Sequence, residues 1–262
     1  MNRIKLGPLA KMAELTSADS TAADISAAEL IPDDRTTPLH DIVPQPAAAA
    51  ACSWFIPLHF ESRHAYPLIV WMHSGRNSAR QLDQVLPLIS ERNYLGVSVQ
   101  GTEHLGNQQF GWLQSADAIE TTIHHVRHAI ESAAARFHIH PERVYIAGRG
   151  TGGTMAFRVA FACPELFAGV ASFNGSLPSN LNPLGRWRTC RRIPVFWAHG
   201  RKSDTFPESN LCHQLRLLHV GGFNVTLRQY PCADQLIDRS YSDLNVWVMD
   251  QIAATGESGI VS

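Results

Sequence analysis

The sequence predicts an α/β protein with a mostly parallel sheet flanked by helices on both faces. Short apolar runs rich in Val, Ile, Phe and Trp alternate with longer segments whose apolar residues recur at helical spacing. Pro164 and the pair Gly221-Gly222 end two of those helical segments. Strands that alternate with helices usually pair in parallel, because each helix returns the chain across a face of the sheet.

The elements follow in a regular order along residues 52–252. The apolar, β-branched and aromatic runs predict strands at 52–60, 67–73, 95–100, 143–147, 167–173, 193–198 and 224–230. Helical spacing predicts helices at 78–92, 116–137, 151–163, 208–220 and 240–252. Sheets of this class place their binding sites at the carboxyl ends of the strands.

Composition limits the class of protein. Of 262 residues, 45% are hydrophobic and 17% charged, with a formal net charge of -1, whereas an average chain is roughly 25% charged. These values exclude a disordered or fibrous chain, and we expect no nucleic-acid partner. No apolar run approaches the roughly 20 residues of a membrane span, and no secretory signal is visible. The five widely spaced cysteines are typical of reduced thiols, so the expected location is cytoplasmic.

The first 50 residues differ from the rest of the chain. They are rich in Ser, Thr, Ala, Asp and Pro, and a run of alanines follows Pro44-Gln45-Pro46. We expect residues 1–50 to form a flexible extension and linker. Residues 51–254 are expected to form the folded domain, and residues 255–262 a C-terminal tail.

The most informative segment is the turn between the predicted strand 143–147 and the helix that follows it. It reads Gly148-Arg149-Gly150-Thr151-Gly152, in the frame strand–G-x-S-x-G–helix of a nucleophile elbow. In that motif the central residue stands strained at the top of the turn, and small neighbours make room for it. Both flanking glycines are present, but Gly150 takes the place of the serine.

Three further segments extend the likeness. P-E-L-F-A-G-V stands at 164–170 after the elbow helix, an apolar strand ends in H-S-G at 73–75, and another ends in H-G at 199–200. In the order of these segments and in their sequence patterns, the chain from about residue 52 to residue 253 resembles the phospholipase/carboxylesterase family. That resemblance implies an α/β-hydrolase fold and, in the family, hydrolysis of carboxylic esters or thioesters.

The resemblance also assigns three positions to the former catalytic triad. They hold Gly150 in place of the nucleophile, Asp204 as the candidate acid and Asp234 in place of the base. The family has its acid three residues after the glycine of His-Gly, which is Ser203 here, and Asp204 lies one residue further on. The family's catalytic histidine follows the last strand, and this chain has no histidine after His219.

Other candidate site residues surround these three. The resemblance implies an oxyanion region at Ser74, Gly75 and Thr151. We expect ligand contacts from Arg149, Trp112 and Arg188. Arg188 belongs to a basic stretch without acids between Glu165 and Asp204, which suits carboxylate or phosphate recognition. The resemblance implies no metal or organic cofactor. The pair His124 and His128 could hold a metal but lacks the glutamate of H-E-x-x-H, so a solvated helix face is the favoured interpretation.

Three functions remain open on these observations. The joint loss of the serine and the histidine favours a pseudo-esterase, a hydrolase fold that binds a small ester-like or anionic ligand or an unidentified protein partner. The second is an ester or thioester hydrolase in which Asp204 and Asp234 activate water. The third is dinucleotide binding, because residues 148–153 also read G-x-G-x-x-G, although Asn174 stands where that fingerprint has an acid.

Overall fold

A computed structural model describes residues 52–179, 187–235 and 237–258 of the chain. The extension and linker expected at residues 1–50 lie outside the described residues, as do the last four residues of the expected tail. Residues 255–258 of that tail belong to the last helix.

Nine strands and six helices are described, in addition to two short 3₁₀ turns at Ala79–Gln81 and Pro164–Leu166. The strands are β1 Cys52–Phe55, β2 Tyr66–Met72, β3 Leu95–Val99, β4 Glu103–Gly106, β5 Gln109–Gly111, β6 Ile139–Arg149, β7 Gly169–Phe173, β8 Val195–Gly200 and β9 Val225–Tyr230. The helices are α1 Leu82–Ile89, α2 Ala116–Arg136, α3 Thr151–Ala162, α4 Trp187–Cys190, α5 Glu208–Val220 and α6 Asp238–Ser258.

Seven of the strands form one sheet in the order β1-β3-β2-β6-β7-β8-β9. The pairing of β1 with β3 is antiparallel, and the pairings from β3 through β9 are parallel. This arrangement confirms the predicted mostly parallel sheet. It also carries the chain after β2, β6, β7, β8 and β9 to one edge, where the predicted site segments begin.

Side chains from the seven-stranded sheet enter two separate apolar clusters, one on either face of the sheet. Along β2, Leu68, Val70 and Met72 join the cluster that also contains residues of α2, α3 and α5. Ile69 and Trp71 join the cluster that contains residues of α1 and α6. Successive residues of a strand point to opposite faces, so the two clusters confirm the helices predicted on both sides.

The β4–β5 hairpin is the main element that the sequence does not predict. Its strands are short and mostly exposed, so they lack the apolar alternation that signals a strand. The turn between them contains Gly106, Asn107 and Gln108 at positive φ. The Phe110 N–H donates to the carbonyl of Asn77 at 2.7 Å, which attaches the hairpin to the loop after β2.

Among the helices that the structure describes, none is both long enough and apolar enough to cross a lipid bilayer.

Candidate functional site

The turn between β6 and α3 keeps the backbone of an elbow without a side chain at its tip. Gly150 has φ 56° and ψ -124°, a conformation that glycine adopts readily and other residues rarely do. Its N–H donates to the carbonyl of Phe173 at 2.8 Å, which ties the tip to the end of β7. A Cβ built on Gly150 would meet no atom within 4 Å. The space for a nucleophile is therefore present and unfilled by the residues described.

The flanking glycines are required by close packing. A Cβ on Gly152 would overlap the carbonyl oxygens of Met72 and His73, at the end of β2. A Cβ on Gly148 would lie 2.5 Å from the carbonyl oxygen of Gly152. The first turn of α3 therefore lies directly against the end of β2, and this close approach accounts for the glycine frame of the motif.

Two of the three predicted oxyanion residues lie together. Thr151 begins α3, and the N–H of a first helical residue has no acceptor within its own helix. A Cβ on Gly75 would lie 3.1 Å from the Thr151 hydroxyl oxygen, so the loop after β2 reaches the start of α3. Ser74 is used differently, because its N–H donates to Gln81 Oε1 and its hydroxyl accepts from Gln81 Nε2, both at 2.9 Å. Ser74 thus holds the loop in place.

His73 and Trp112 support that loop from the interior. The N–H of Gly101 donates to His73 Nε2 at 2.9 Å, so the His73 proton lies on Nδ1, which is 2.8 Å from the Ser74 carbonyl. Burial lowers the pKa of His73 and keeps it neutral, although the contact with the Ser74 carbonyl acts in the other direction. The Trp112 ring lies tilted against the His73 ring, with 4.7 Å between the centroids, and its Nε1 donates to the His73 carbonyl at 2.8 Å. Trp112, a predicted ligand contact, is buried behind the loop and braces it.

Asp234, which the resemblance assigns to the position of the family's catalytic histidine, accepts hydrogen bonds from two hydroxyl groups. The Ser203 hydroxyl donates to Oδ1 and the Thr205 hydroxyl donates to Oδ2, the latter at 3.0 Å. The hydrogen bond from Ser203 lowers the pKa of Asp234, with smaller contributions from Thr205 and the Arg149 guanidinium, while burial opposes them. The residue is therefore an ionised carboxylate at neutral pH.

Ser203, rather than Asp204, lies against residue 234. Asp204 stands between the two hydroxyl donors in the sequence, but its side chain is exposed and neither described hydrogen bond to the Asp234 carboxylate comes from it. Ser203 is the residue three positions after Gly200, where the family has its acid. The acid–imidazole pair that the resemblance implies is replaced by a hydroxyl–carboxylate pair across the same two loops.

Two side chains hold the loop that carries Asp234. Arg149 Nη2 donates to the Asp234 carbonyl at 3.1 Å, and Asn174 Nδ2 donates to the same oxygen at 3.2 Å. Asn174 Oδ1 also accepts from the Gly200 N–H at 2.8 Å. Arg149 therefore lies beside the Asp234 loop, and its guanidinium binds the backbone of that loop. Its expected contact with a ligand stays a prediction. Neither Asn174 nor Ser203 was a predicted site residue, although the spacing after His199-Gly200 could have indicated Ser203.

Arg188 does not belong to this edge of the sheet. It is exposed in α4, which precedes β8 and therefore approaches the opposite, amino end of the strands. Two residues later, the Cys190 thiol donates to the Phe161 carbonyl at 3.2 Å. Phe161 is in the last turn of α3, roughly 16 Å along the helix from Gly150 at the usual rise per residue. The predicted ligand contact at Arg188 is therefore not compatible with a ligand at the elbow.

The histidine pair of α2 has no part in the contacts described for the elbow. His124 and His128 are exposed on the surface of the helix. Within residues 52–179, 187–235 and 237–258, no group of three or more His, Cys, Asp or Glu side chains is arranged to hold a metal ion.

Comparison by sequence identifies hydrolase relatives. A family model described as Phospholipase/Carboxylesterase matches residues 103–245. The curated protein named Putative esterase NocK, from Nocardia uniformis subsp. tsuyamanensis, is 29% identical over 151 residues, which are 55% of this chain and 42% of that protein. The chain therefore matches less than half the length of this relative.

Comparison by structure identifies carboxylesterase folds. The Bacillus cereus carboxylesterase superposes with a TM-score of 0.62 at 14% identity, covering 78% of this chain and 96% of that one. SOBER1 of Arabidopsis thaliana superposes with a TM-score of 0.57 at 15% identity, covering 72% and 100%. A carboxylesterase from Mesorhizobium loti gives 0.60 at 14% identity, covering 71% and 90%. At these identities the likeness establishes the fold alone, and that fold is the predicted one.

Proposed function

Because the chain belongs to the phospholipase/carboxylesterase family of α/β-hydrolases, we propose that it retains the family's cleft as a binding site and has lost the serine mechanism. The observation that carries this proposal is Gly150, which keeps the elbow backbone and leaves the space of the nucleophile unfilled. Acyl transfer by a serine mechanism needs an activated hydroxyl at that point. The protein then binds an ester-like or carboxylate compound without turning it over.

The residues at the other two triad positions support the same conclusion. A general base works best when its pKa lies near the working pH, and hydroxyl donors hold the pKa of Asp234 below its ordinary value. Ser203 carries no charge, so it offers no carboxylate to stabilise a protonated base. The three positions together lack a nucleophile, a matched base and an orienting acid.

Reversible binding is supported by what the turn at Gly150 and Thr151 retains. The N–H of Thr151 opens a 12-residue helix and is directed away from the helix body. Such a donor stabilises the oxygen of a carbonyl or carboxylate, and the helix dipole favours partial negative charge there. The open space at Gly150 admits the ligand close to this donor.

The unmodified protein provides the first test. We expect no labelling by a fluorophosphonate and no hydrolysis of p-nitrophenyl butyrate beyond the buffer rate, because both reactions need an activated nucleophile. Stoichiometric labelling, or hydrolysis that copurifies with the folded chain, would overturn the proposal.

Binding is tested by a matched pair at Thr151. Thr151→Pro removes the N–H, and proline suits the first position of a helix. Gly150 tolerates a following proline, because φ 56° with ψ -124° is the mirror image of an extended conformation that glycine also adopts. Thr151→Ala keeps the N–H as the control. We expect saturation-transfer NMR signals from butyrate or ethyl butyrate with the unmodified and Ala proteins and their loss with the Pro variant; equal signals in both variants contradict an oxyanion-type subsite.

A carboxylate-assisted hydrolase is the second candidate, favoured by the ionised Asp234 at the site. Asp204 does not donate to or accept from that carboxylate in the described hydrogen bonds, so any such activity depends on Asp234 alone. If ester hydrolysis is detected and this second candidate is right, Asp234→Ala abolishes the activity and Asp204→Ala leaves it unchanged.

The alternative of dinucleotide binding loses support. Asn174 stands where that fingerprint has an acid, and its amide nitrogen and amide oxygen both bind the protein backbone.

A further inference from the structure

His199 is a buried histidine that the proposed binding site does not use. It lies near the end of β8, and its side chain is fully buried. Neither ring nitrogen has a hydrogen-bond partner among the residues that the structure describes. The ring of Phe206 lies edge-on to it, with 5.6 Å between the centroids. Buried polar atoms without partners are costly and uncommon, so this imidazole is poised to respond to a change in protonation.

Two carboxylates act on the charge of the ring. Burial lowers the pKa of His199, while Glu208 in the first turn of α5 and Asp234 in the loop after β9 favour the charged form. Both acids already have other partners at neutral pH. Asp234 accepts from Ser203 and Thr205, and Glu208 Oε1 accepts from Gln229 Nε2 at 3.0 Å.

Three further described residues beside His199 carry no charge. Its strand partner on β9 is Gln229. At the end of β7, Asn174 binds the next residue of β8, Gly200. The loop after β8 contributes Phe206. Glu208 and Asp234 are therefore the negatively charged groups that act on a protonated His199, and Glu208 lies on an exposed helix turn where water screens its charge.

We propose that protonation of His199 switches the conformation of the cleft by recruiting the carboxylate of Asp234. One proton from solvent binds a ring nitrogen, and the resulting imidazolium takes Asp234 as its acceptor, since a buried charge without a partner is strongly disfavoured. Ser203 and Thr205 then lose their acceptor, and the loops 201–207 and 231–235 rearrange. The proposal does not depend on whether the protein hydrolyses esters.

The loop contacts explain why the change is transmitted. The Ser203 hydroxyl also accepts from the Phe206 N–H at 3.0 Å. Phe206 in turn stacks on Trp197 with 5.9 Å between the centroids. A movement of Ser203 away from Asp234 therefore alters the packing of Phe206 against His199 and Trp197.

NMR titration of the full chain from pH 7.5 to pH 4.5 tests the switch. We expect the His199 ring to titrate with a midpoint below about 6.5, the value of an unperturbed imidazole. The amides of Ser203, Thr205 and Asp234 should shift with the same midpoint. In the variant His199→Gln these amides should lose that transition, whereas His219→Gln, at the exposed far end of α5, should keep it.

Three results would overturn the proposal. The first is a His199 ring that remains neutral to pH 4.5 in the folded protein. The second is a titration of the loop amides that persists in His199→Gln, or in His199→Asn if the Gln variant does not fold. The third is a loss of the whole dispersed spectrum before any local change. The variant Asp234→Asn tests whether Asp234 transmits the change. In this variant the His199 ring should still titrate, whereas the amide chemical shifts of Ser203 and Thr205 should not change with pH.

Discussion

Rebuilding the catalytic positions tests whether the scaffold around the elbow is intact. The triple variant Gly150→Ser, Ser203→Asp, Asp234→His restores a hydroxyl, an acid and an imidazole at the three positions. Residues 203 and 234 already contact each other through a hydrogen bond. An aspartate at 203 is therefore expected to meet a histidine at 234 across the same two loops. Using Asp204 as the acid instead would leave that contact unmade.

The cost of the serine follows from the geometry of the turn. A Cβ at position 150 meets no atom within 4 Å, so the serine causes no steric overlap. Its only destabilising effect is the backbone strain of a non-glycine residue at φ 56°. Such backbone strain costs about 1–3 kcal/mol, against a typical free energy of unfolding of about 5–15 kcal/mol. The substitution at position 150 by itself should therefore leave the protein folded. Loss of a whole triad lowers kcat by roughly 10⁶ in a serine protease, which sets the upper bound of the gain.

Fluorophosphonate labelling and p-nitrophenyl butyrate hydrolysis measure the gain, and urea denaturation measures the cost. The matched control is Gly150→Ala with the same two other substitutions, which carries the same strain without a hydroxyl. A triple variant that folds but is not labelled by the fluorophosphonate and does not hydrolyse p-nitrophenyl butyrate would refute the idea that positions 150, 203 and 234 are still aligned for catalysis. Equal labelling of the alanine control would show that the reagent reacts elsewhere.

Three further substitutions have distinct expected outcomes. Gly152→Ala should lower the free energy of unfolding by more than the about 1–3 kcal/mol expected of Gly150→Ala, because its Cβ overlaps backbone at Met72, and urea denaturation compares the two. Trp112→Phe should cost about 1–3 kcal/mol by leaving the buried carbonyl of His73 without its donor, measured in the same way. Asp234 has a lowered pKa when folded, so its contribution to stability is present above the unfolded value of about 3.9 and is lost as the pH falls through the folded value. Asp234→Asn should therefore flatten that part of the pH dependence of unfolding, and an unchanged slope would show that the Ser203 and Thr205 contacts do not act on this carboxylate.

Most of the fold was predictable because its signals are local. The apolar runs predict the seven strands of the main sheet, and the helical stripes predict the five longer helices. Each predicted range overlaps the observed element. The β4–β5 hairpin was missed because its short, exposed strands are held by a contact with Asn77 in a distant loop. The helix α4, four residues long, carries no periodic signal either.

The site divides in the same way. Residue order along the chain is enough to show that the elbow frame lacks its serine at Gly150 and that no histidine follows the last strand. Three-dimensional contacts are needed to show that Ser203 rather than Asp204 meets Asp234, that Trp112 is buried behind the loop, and that Arg188 lies toward the amino ends of the strands. Periodicity reports the geometry of one element, whereas these contacts depend on which loops the sheet order brings together.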